Sequence, residues 1–536
     1  MSDGDGIGNS DAWWRGGVFY QIYPRSYADT NGDGHGDLRG IISRLDYLAE
    51  LGITALWLSP VTVSPNRDWG YDVSDYCDID PDFGTLDDLD TLVSEGGRRG
   101  IRILLDLVPN HSSDQHPWFV DARRGRDAAH RDWYVWADPA PGGGPPNNWI
   151  SIFGGSAWEL DAASGQYFLH NFETQQPDLN WWNDDVRHAF DAILRFWWDR
   201  GVAGFRIDVC NMMIKDAELR DNPPATKDDP LDQQLMGVKS VYNSDRPEAH
   251  DILRHWRTIA DTYDPPRLLI GETNVDQLAT LMAFYGTGRN ELHGGFNFVF
   301  INAALEAGAM RAIVEDVEAL LPAGAWPLWT GSNHDVSRLA TRWAAGDVAK
   351  VRCALMILLC LRGTPFLYQG DEIGLTDGPI AQADLRDRVG IRFWPSYKGR
   401  DAERTPMPWS PAPGGGFSTD TEVRPWLPMA DPAVCNVADQ AADPDSVLSF
   451  TRRAIARRRD NEDLALGPYR SLHSPENTWV FRRGRRSVVA LNMAATASEI
   501  TGLNGVITLA TDRVLEGTAV EGAVTLAPWC GVVVES

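Results

Sequence analysis

Short apolar runs alternate with stretches of helical period along much of the chain. Val18 to Tyr27 (VFYQIYPRSY) reads as an apolar and aromatic strand, followed by a Gly/Asp loop and a helical stretch from Ile41 to Leu51 that ends at Gly52. Ala55 to Pro60 (ALWLSP), a helix over Leu86 to Arg99 stopped by Gly100, and Ile101 to Val108 (IRILLDLV) repeat the step. Such strand-then-helix units point to a parallel sheet with helical crossovers. From Asn110 to about Asn180 the rhythm breaks into Gly, Pro, Asp and Trp without a sustained period, which reads as an inserted subdomain rather than a loop. It resumes at Asp184 to Arg200, an amphipathic helix with Val186, Phe190, Ile193, Leu194 and Trp197 on one side and Gly201 as its stop.

Further strands are expected at Gly204 to Val209, Arg267 to Glu272, Gly295 to Phe300, Trp326 to Thr330 and Thr364 to Tyr368, which brings the total to eight. Eight strands separated mostly by helices are what a (β/α)8 TIM barrel requires, although the alternation alone also describes a large doubly wound sheet. After a last helix from Val447 to Arg459 the character changes to short β-branched stretches with turns, a small antiparallel β domain. The expected organisation is α/β: a barrel over residues 1–110 and 181–467, an inserted subdomain over 111–180 after strand 3, and a C-terminal β-sandwich over 468–536.

Composition narrows the partners. At 536 residues the chain exceeds what one core supports, and 43% hydrophobic with 23% charged residues is ordinary for a globular protein. The 49 Lys and Arg against 75 Asp and Glu leave a net charge of -26, which disfavours nucleic acid and anionic membrane surfaces and favours a neutral or cationic substrate. The 22 Trp supply flat faces with a polar N–H that suit sugar stacking as well as core packing. Six cysteines show no CxxC and no dense spacing, so reduced thiols are expected. The opening MSDGDGIGNSDAWWRGG has neither a basic nor an apolar signal region, and the longest apolar run, Cys353 to Leu361, is too short to span a bilayer. A cytoplasmic protein of a bacterial-type cell is expected.

Barrel enzymes keep their chemistry at the carboxyl ends of the strands, and polar residues gather there. Strand one runs into Asp29-Thr-Asn31-Gly-Asp33-Gly-His35-Gly-Asp37, strand three into Asn110-His111, strand four into Arg206-x-Asp208, strand five ends in Glu272, and strand seven runs into Asn333-His334-Asp335. An isolated Arg-x-Asp is most simply a strand-end salt bridge. An Arg in ion-pair range also keeps an Asp ionised, which leaves Asp208 available as a nucleophile.

Four of these stretches, Asp106 to His111 (DLVPNH), Gly204 to Asn211 (GFRIDVCN), Gly271-Glu272-Thr273 and Ser332 to Asp335 (SNHD), resemble in order the four signatures of the alpha-amylase family, glycoside hydrolase family 13. Gln176 to Asn180 (QPDLN) and Arg400 to Met407 (RDAERTPM) resemble further segments of its alpha-glucosidase and oligo-1,6-glucosidase branch. The resemblance implies Asp208 as nucleophile, Glu272 as general acid/base and Asp335 as transition-state stabiliser of a retaining, exo-acting alpha-glucosidase. Retaining hydrolysis needs an ionised carboxylate and a protonated carboxyl about 5 to 5.5 Å apart. Arg206 is expected to keep Asp208 ionised, and Glu272, near other carboxylates, to have a raised pKa. The resemblance further implies that Asp72 and Arg400 grip the terminal glucose, that Tyr71 stacks under it, and that His111 and His334 donate hydrogen bonds to it. The substrate is a neutral oligosaccharide or alpha-glucoside. The same site used as a transglucosylase, and a non-catalytic relative, are the rival readings.

Asp29, Asn31, Asp33 and Asp37 place hard oxygens at alternate positions, as a calcium loop does. Position twelve is Gly40, so this is not an EF-hand. Related glucosidases hold structural calcium in this loop; magnesium, or a turn without an ion, is the alternative. Val209, directly after the nucleophile, implies by the same resemblance a preference for alpha-1,6 linkages.

Overall fold

Runs buried on both faces make the central sheet. The structure, a computed structural model, describes residues 12–275 and 277–536; residues 1–11 of the segment that predicts no secretory signal lie outside it. Eight parallel strands follow one another: β1 (Phe19–Ile22), β2 (Ala55–Leu58), β3 (Arg102–Leu107), β4 (Gly204–Ile207), β5 (Leu268–Gly271), β6 (Gly294–Gly295), β7 (Leu328–Thr330) and β8 (Thr364–Tyr368). Their order is β6-β5-β4-β3-β2-β1-β8-β7, every pairing is parallel, and helices pack outside, so the sheet is a (β/α)8 barrel. At the seam a Cβ on Gly294 would stand 2.7 Å from the Leu328 side chain, so β6 and β7 meet through packing. Phe19, Trp57, Leu104, Ile270, Phe296 and Phe366 fill the interior.

The helices obey their sequence signals. Helix α1 (Leu86–Arg98) starts at a capping box of Thr85 and Asp88, and α2 (Asp184–Asp199) starts where Asn183 accepts the Asp185 N–H and buries Val186, Phe190, Leu194 and Trp197. Three expectations change. The stretch Ile41 to Leu51 belongs to two helices, Leu38–Ser43 and Leu45–Leu51, the first capped by Asp37. The strand expected at Gly295 to Phe300 is mostly a helical turn, α3 (Phe298–Ile301), because the Asn297 side chain accepts the Phe300 N–H at 3.0 Å. The strand expected from Val18 stops at Ile22, where Pro24–Ser26 forms a 3-10 turn.

Between β3 and α2 the inserted segment carries its own antiparallel three-stranded sheet, with Gln166–Leu169 between Trp136–Ala137 and Trp158–Asp161. Beyond β6, α4 (Ala307–Leu320), α5 (Val348–Cys360) and α6 (Val447–Asp460) continue the outer layer. The C-terminal part is one six-stranded antiparallel sheet, β9 (Tyr469–Ser471), β10 (Thr478–Arg483), β11 (Ser487–Asn492), β12 (Ser498–Ala510), β13 (Ala519–Leu526) and β14 (Gly531–Glu535), in the order β9-β10-β11-β14-β12-β13. Where a sandwich was expected, the long β12 joins everything into one sheet. It pairs with β13 over residues 498–506 and with β14 over 506–510, with register shifts in both ladders. All six cysteines are free, and among the described residues no helix is long and apolar enough to cross a membrane.

Candidate active site

Arg206 organises the centre. It lies on β4 with 1% exposure, and its fork donates through Nη1 to Asp106 at 2.8 Å and to Asp208 at 2.7 Å, and meets Glu272 through Nη2 at 2.8 Å. Parallel pairing places Asp106 opposite Arg206 and delivers Asp208 and Glu272 just beyond the ends of β4 and β5. Three carboxylates share one guanidinium, so burial is incompletely compensated. Burial pushes the Asp208 carboxyl well above the usual range; Arg206 opposes this, while Glu272 and Asp106 add to it. Burial likewise raises Asp106 to about 6 against the pull of Arg206. Arg206, expected to keep Asp208 ionised, opposes that rise but divides its fork among three carboxylates.

Asp335 has the opposite setting. Burial by itself would raise it, but His334, Arg400 and Arg404 hold the carboxyl far below the ordinary range. Its Oδ1 accepts from Arg404 at 2.5 Å and from Arg400 at 3.1 Å. Arg404, part of the RDAERTPM stretch, was not singled out in the sequence as a site residue.

A cavity of about 720 Å³ opens above these groups and is lined by Asp208, Glu272, Asp335, Tyr71, His111 and Arg400 among others. Arg400 donates at 3.0 Å to Asp68 and at 2.8 Å to Asp387 in addition to Asp335, which ties the loops after β2, β7 and β8 together at one end. Phe153 from the inserted segment lies under its guanidinium at 5.6 Å.

Asp72, expected to grip the sugar, is not in the cavity wall. Fully buried, it accepts the Ser64 hydroxyl and the Arg67 and Asp68 N–H groups, each at 2.9 Å. Asp68, four residues earlier, stands in the wall instead, held by Arg400 and by the Gln176 amide at 3.1 Å. The backbone explains the exchange: Asn66, Trp69 and Gly70 all take positive φ (58°, 50° and 107°), a tight turn whose geometry single-residue spacing does not reveal.

Two more expected contacts, Arg206 and His334, lie deeper than the cavity surface. Arg206 sits behind the carboxylates. His334 is fully buried, receives the Gln21 amide on Nδ1 at 2.8 Å, and stacks on Tyr71 with the planes 6° apart. Burial drives its imidazole far down against the pull of Asp335. Tyr71 lines the wall, its hydroxyl donating to Asp106 at 3.0 Å and touching His334 Nε2 at 2.5 Å. His111, pushed down to about 4 by burial, donates from Nε2 to the Tyr71 carbonyl at 3.1 Å. Val209 holds φ 33° and ψ 48°, a strained setting for a β-branched residue, and its N–H donates to Glu272 at 3.1 Å.

In the loop after β1, Asp29 accepts the Asn31, Gly32 and Gly34 N–H groups, and Asp37 accepts the Thr30 and Gly40 N–H groups. The Asn31 amide donates to Asp33 at 3.0 Å. Among the described residues no three His, Cys, Asp or Glu converge as a metal cluster. The donor chemistry suits a hard cation, since a carboxylate oxygen can accept an amide and still coordinate.

Comparison with known proteins agrees with this arrangement. The family model for the alpha amylase catalytic domain matches residues 21–467. A probable alpha-glucosidase of Rhizobium meliloti (strain 1021) is 46% identical over 467 residues, 85% of this chain and 84% of that one. An oligo-1,6-glucosidase of Heyndrickxia coagulans is 37% identical over 530 residues, covering 91% and 93%. Among solved structures, the alpha-glucosyl transfer enzyme XgtA superposes with a TM-score of 0.91 at 40% identity over 98% of this chain and 99% of that one. Barrel, strand-end carboxylates and relatives together show that the chain belongs to the alpha-amylase family, in its alpha-glucosidase and oligo-1,6-glucosidase branch.

Proposed function

We propose that this chain is a retaining, exo-acting alpha-glucosidase that releases alpha-glucose from the non-reducing ends of short oligosaccharides. The observation that carries the reading is the Arg206 fork, which sets Asp208 and Glu272 side by side at the floor of the cavity. In this reading the Glu272 carboxyl protonates the leaving oxygen while Asp208 attacks the anomeric carbon and forms a glucosyl ester. Glu272 then takes a proton from water as water displaces Asp208. Asp335, held ionised by Arg400 and Arg404, faces the positive charge that develops on the ring. The tie from Arg400 to Asp68, Asp335 and Asp387 supports end-on entry, because it closes one end against a continuing chain. Asp68 and His111 suit the hydroxyls of the terminal sugar, with Tyr71 beneath it.

A panel of maltose, isomaltose, sucrose, trehalose and kojibiose with NMR of the first product tests this. Alpha-glucose appearing first is expected; beta-glucose first, or no cleavage of any member, contradicts it. Val209 supports isomaltose over maltose, which the same panel reads. The likeness to XgtA, an alpha-glucosyl transfer enzyme, supports a second reading, transfer of the glucosyl group to an acceptor sugar. A dominant yield of longer saccharides at high substrate concentration selects it. We place a structural calcium ion at Asp29, Asn31, Asp33 and Asp37; chelation with EGTA lowers the unfolding temperature if it is there and leaves it unmoved if not. Six free thiols support a cytoplasmic location, which fractionation of the source cell checks.

A further inference from the structure

Two arms reach from the inserted segment to one end of the cavity, and a single guanidinium holds both. Arg392 lies in the last turn of a short helix, Arg388–Phe393, in the loop after β8. Its Nη2 meets both oxygens of Glu173 at 3.2 Å, and its Nη1 donates to the Phe153 carbonyl. The inserted segment comes this close at Gly154, where φ is +86° and a Cβ would stand 3.3 Å from the Phe393 ring. From Phe153 one arm runs to Arg400, whose guanidinium lies 5.6 Å from the ring centre. From Glu173 the other runs through its N–H to Gln176 Oε1 at 3.0 Å, and from the Gln176 amide to Asp68 at 3.1 Å. Arg400 and Asp68 are themselves paired at 3.0 Å. The helix closes the circle, since Asp387 at its N-cap accepts from Arg400 at 2.8 Å.

Neither Arg392 nor Glu173 lines the cavity. An ion pair with an exposed member is ordinarily weak. Here the Arg392 side chain is 43% exposed but that of Glu173 only 6%. Among the described residues no other side chain donates to the Glu173 carboxylate, so removing Arg392 leaves a buried anion unpaired. Such a group is driven toward water. Glu173 carries Gln176 with it, because the Gln176 N–H also donates back to the Glu173 carbonyl at 2.8 Å.

We propose that Arg392 and Glu173 are positioning residues that set the affinity for the terminal sugar: their clasp holds Phe153 beneath Arg400 and Gln176 on Asp68. The proposal rests on the alpha-glucosidase reading, in which Asp68 meets that sugar, and extends it to two groups outside the cavity wall. The clasp acts on a grip that substrate and transition state share, so its loss raises KM with little change in kcat.

The test is steady-state kinetics of the full-length protein with the best disaccharide of the panel, together with inhibition by free glucose, the product that the terminal-sugar end releases. Arg392→Met is expected to raise KM and the inhibition constant of glucose together, each at least about fivefold, at a kcat within about twofold of wild type. Arg392→Lys keeps a cation within reach of Glu173 and is expected to recover most of the loss. Glu173→Leu by itself should raise KM as well, and the double variant should be no worse than Arg392→Met, as two halves of one contact behave. A lowered unfolding temperature with KM and glucose inhibition unmoved makes the pair a structural brace and overturns the proposal, as do additive losses in the double variant. Either result leaves the alpha-glucosidase reading standing while wild type releases glucose. No release of glucose from any disaccharide by wild type overturns that reading and the role of the clasp with it.

Discussion

Exchanging Asp68 and Asp72 for asparagine, one at a time, separates a sugar ligand from a buried loop brace. Asp68 stands in the cavity and is still surrounded by Arg400 and Gln176. Its loss removes a charge-assisted hydrogen bond to a sugar hydroxyl, about 1.5 to 3 kcal/mol, or about 10- to 150-fold in kcat/KM. Arg400 keeps Asp335 and Asp387, so the unfolding temperature should hold. Asp72 acts on stability instead. Burial raises its carboxyl from 3.8 to about 6, despite three loop donors. The folded chain therefore binds this proton more tightly than the unfolded one, and stability falls as pH rises from about 4 to 6. The rise corresponds to about 3 kcal/mol at neutral pH. Asp72→Asn removes that slope: relative to wild type the variant should gain stability between pH 4 and 7, and its kcat/KM should stay within about threefold. Steady-state kinetics with the best disaccharide, together with unfolding scans at both pH values, read all of this. Equal losses of kcat/KM in the two variants at unchanged unfolding temperature would refute the placement of Asp68 in the wall.

Arg206→Lys replaces a three-way fork with a point charge, and breaking such buried pairs costs about 3 to 5 kcal/mol; kcat should fall by at least two orders of magnitude with a lower unfolding temperature, seen by kinetics and calorimetry. Tyr71→Phe strips Asp106 of a donor at 3.0 Å and should lower kcat/KM about tenfold, one neutral-to-charged hydrogen bond. Arg25 is 2% exposed and joins Asn66 at 3.0 Å, Asp82 at 3.1 Å and His35 at 2.8 Å beneath the turn that carries Asp68. Arg25→Met should therefore raise KM several-fold more than it lowers kcat, as steady-state kinetics would report.

Much of this site is legible in the sequence, because residues at the ends of buried strands inherit their position from the strand. Asp208, Glu272, Asp335 and His111 follow directly once β3, β4, β5 and β7 are placed. Asp68 was not legible: the family resemblance singled out Asp72, and which of the two faces the cavity depends on left-handed backbone at Asn66, Trp69 and Gly70. The turn at α3 was hidden because a six-residue apolar run fits strand and helix alike until the Asn297 cap is seen. The sharing of Arg206 escaped for a different reason. An Arg two residues away predicts an anion, but the same guanidinium also serves Asp106 and Glu272, which come from other strands. The depth of Arg206 and His334 behind the wall is likewise a tertiary property.

The central claim is that Asp208 becomes covalently glucosylated while Glu272 moves the proton. The Glu272→Gln variant, given alpha-glucosyl fluoride, needs no acid to expel fluoride yet lacks the base to activate water, so the ester should accumulate. Acid quench, proteolysis and mass spectrometry should then find one hexosyl group on the peptide that contains Gly204 to Asn211, at Asp208. A hexosyl group on any other carboxylate, or turnover with beta-glucose as first product and no adduct, would contradict the account.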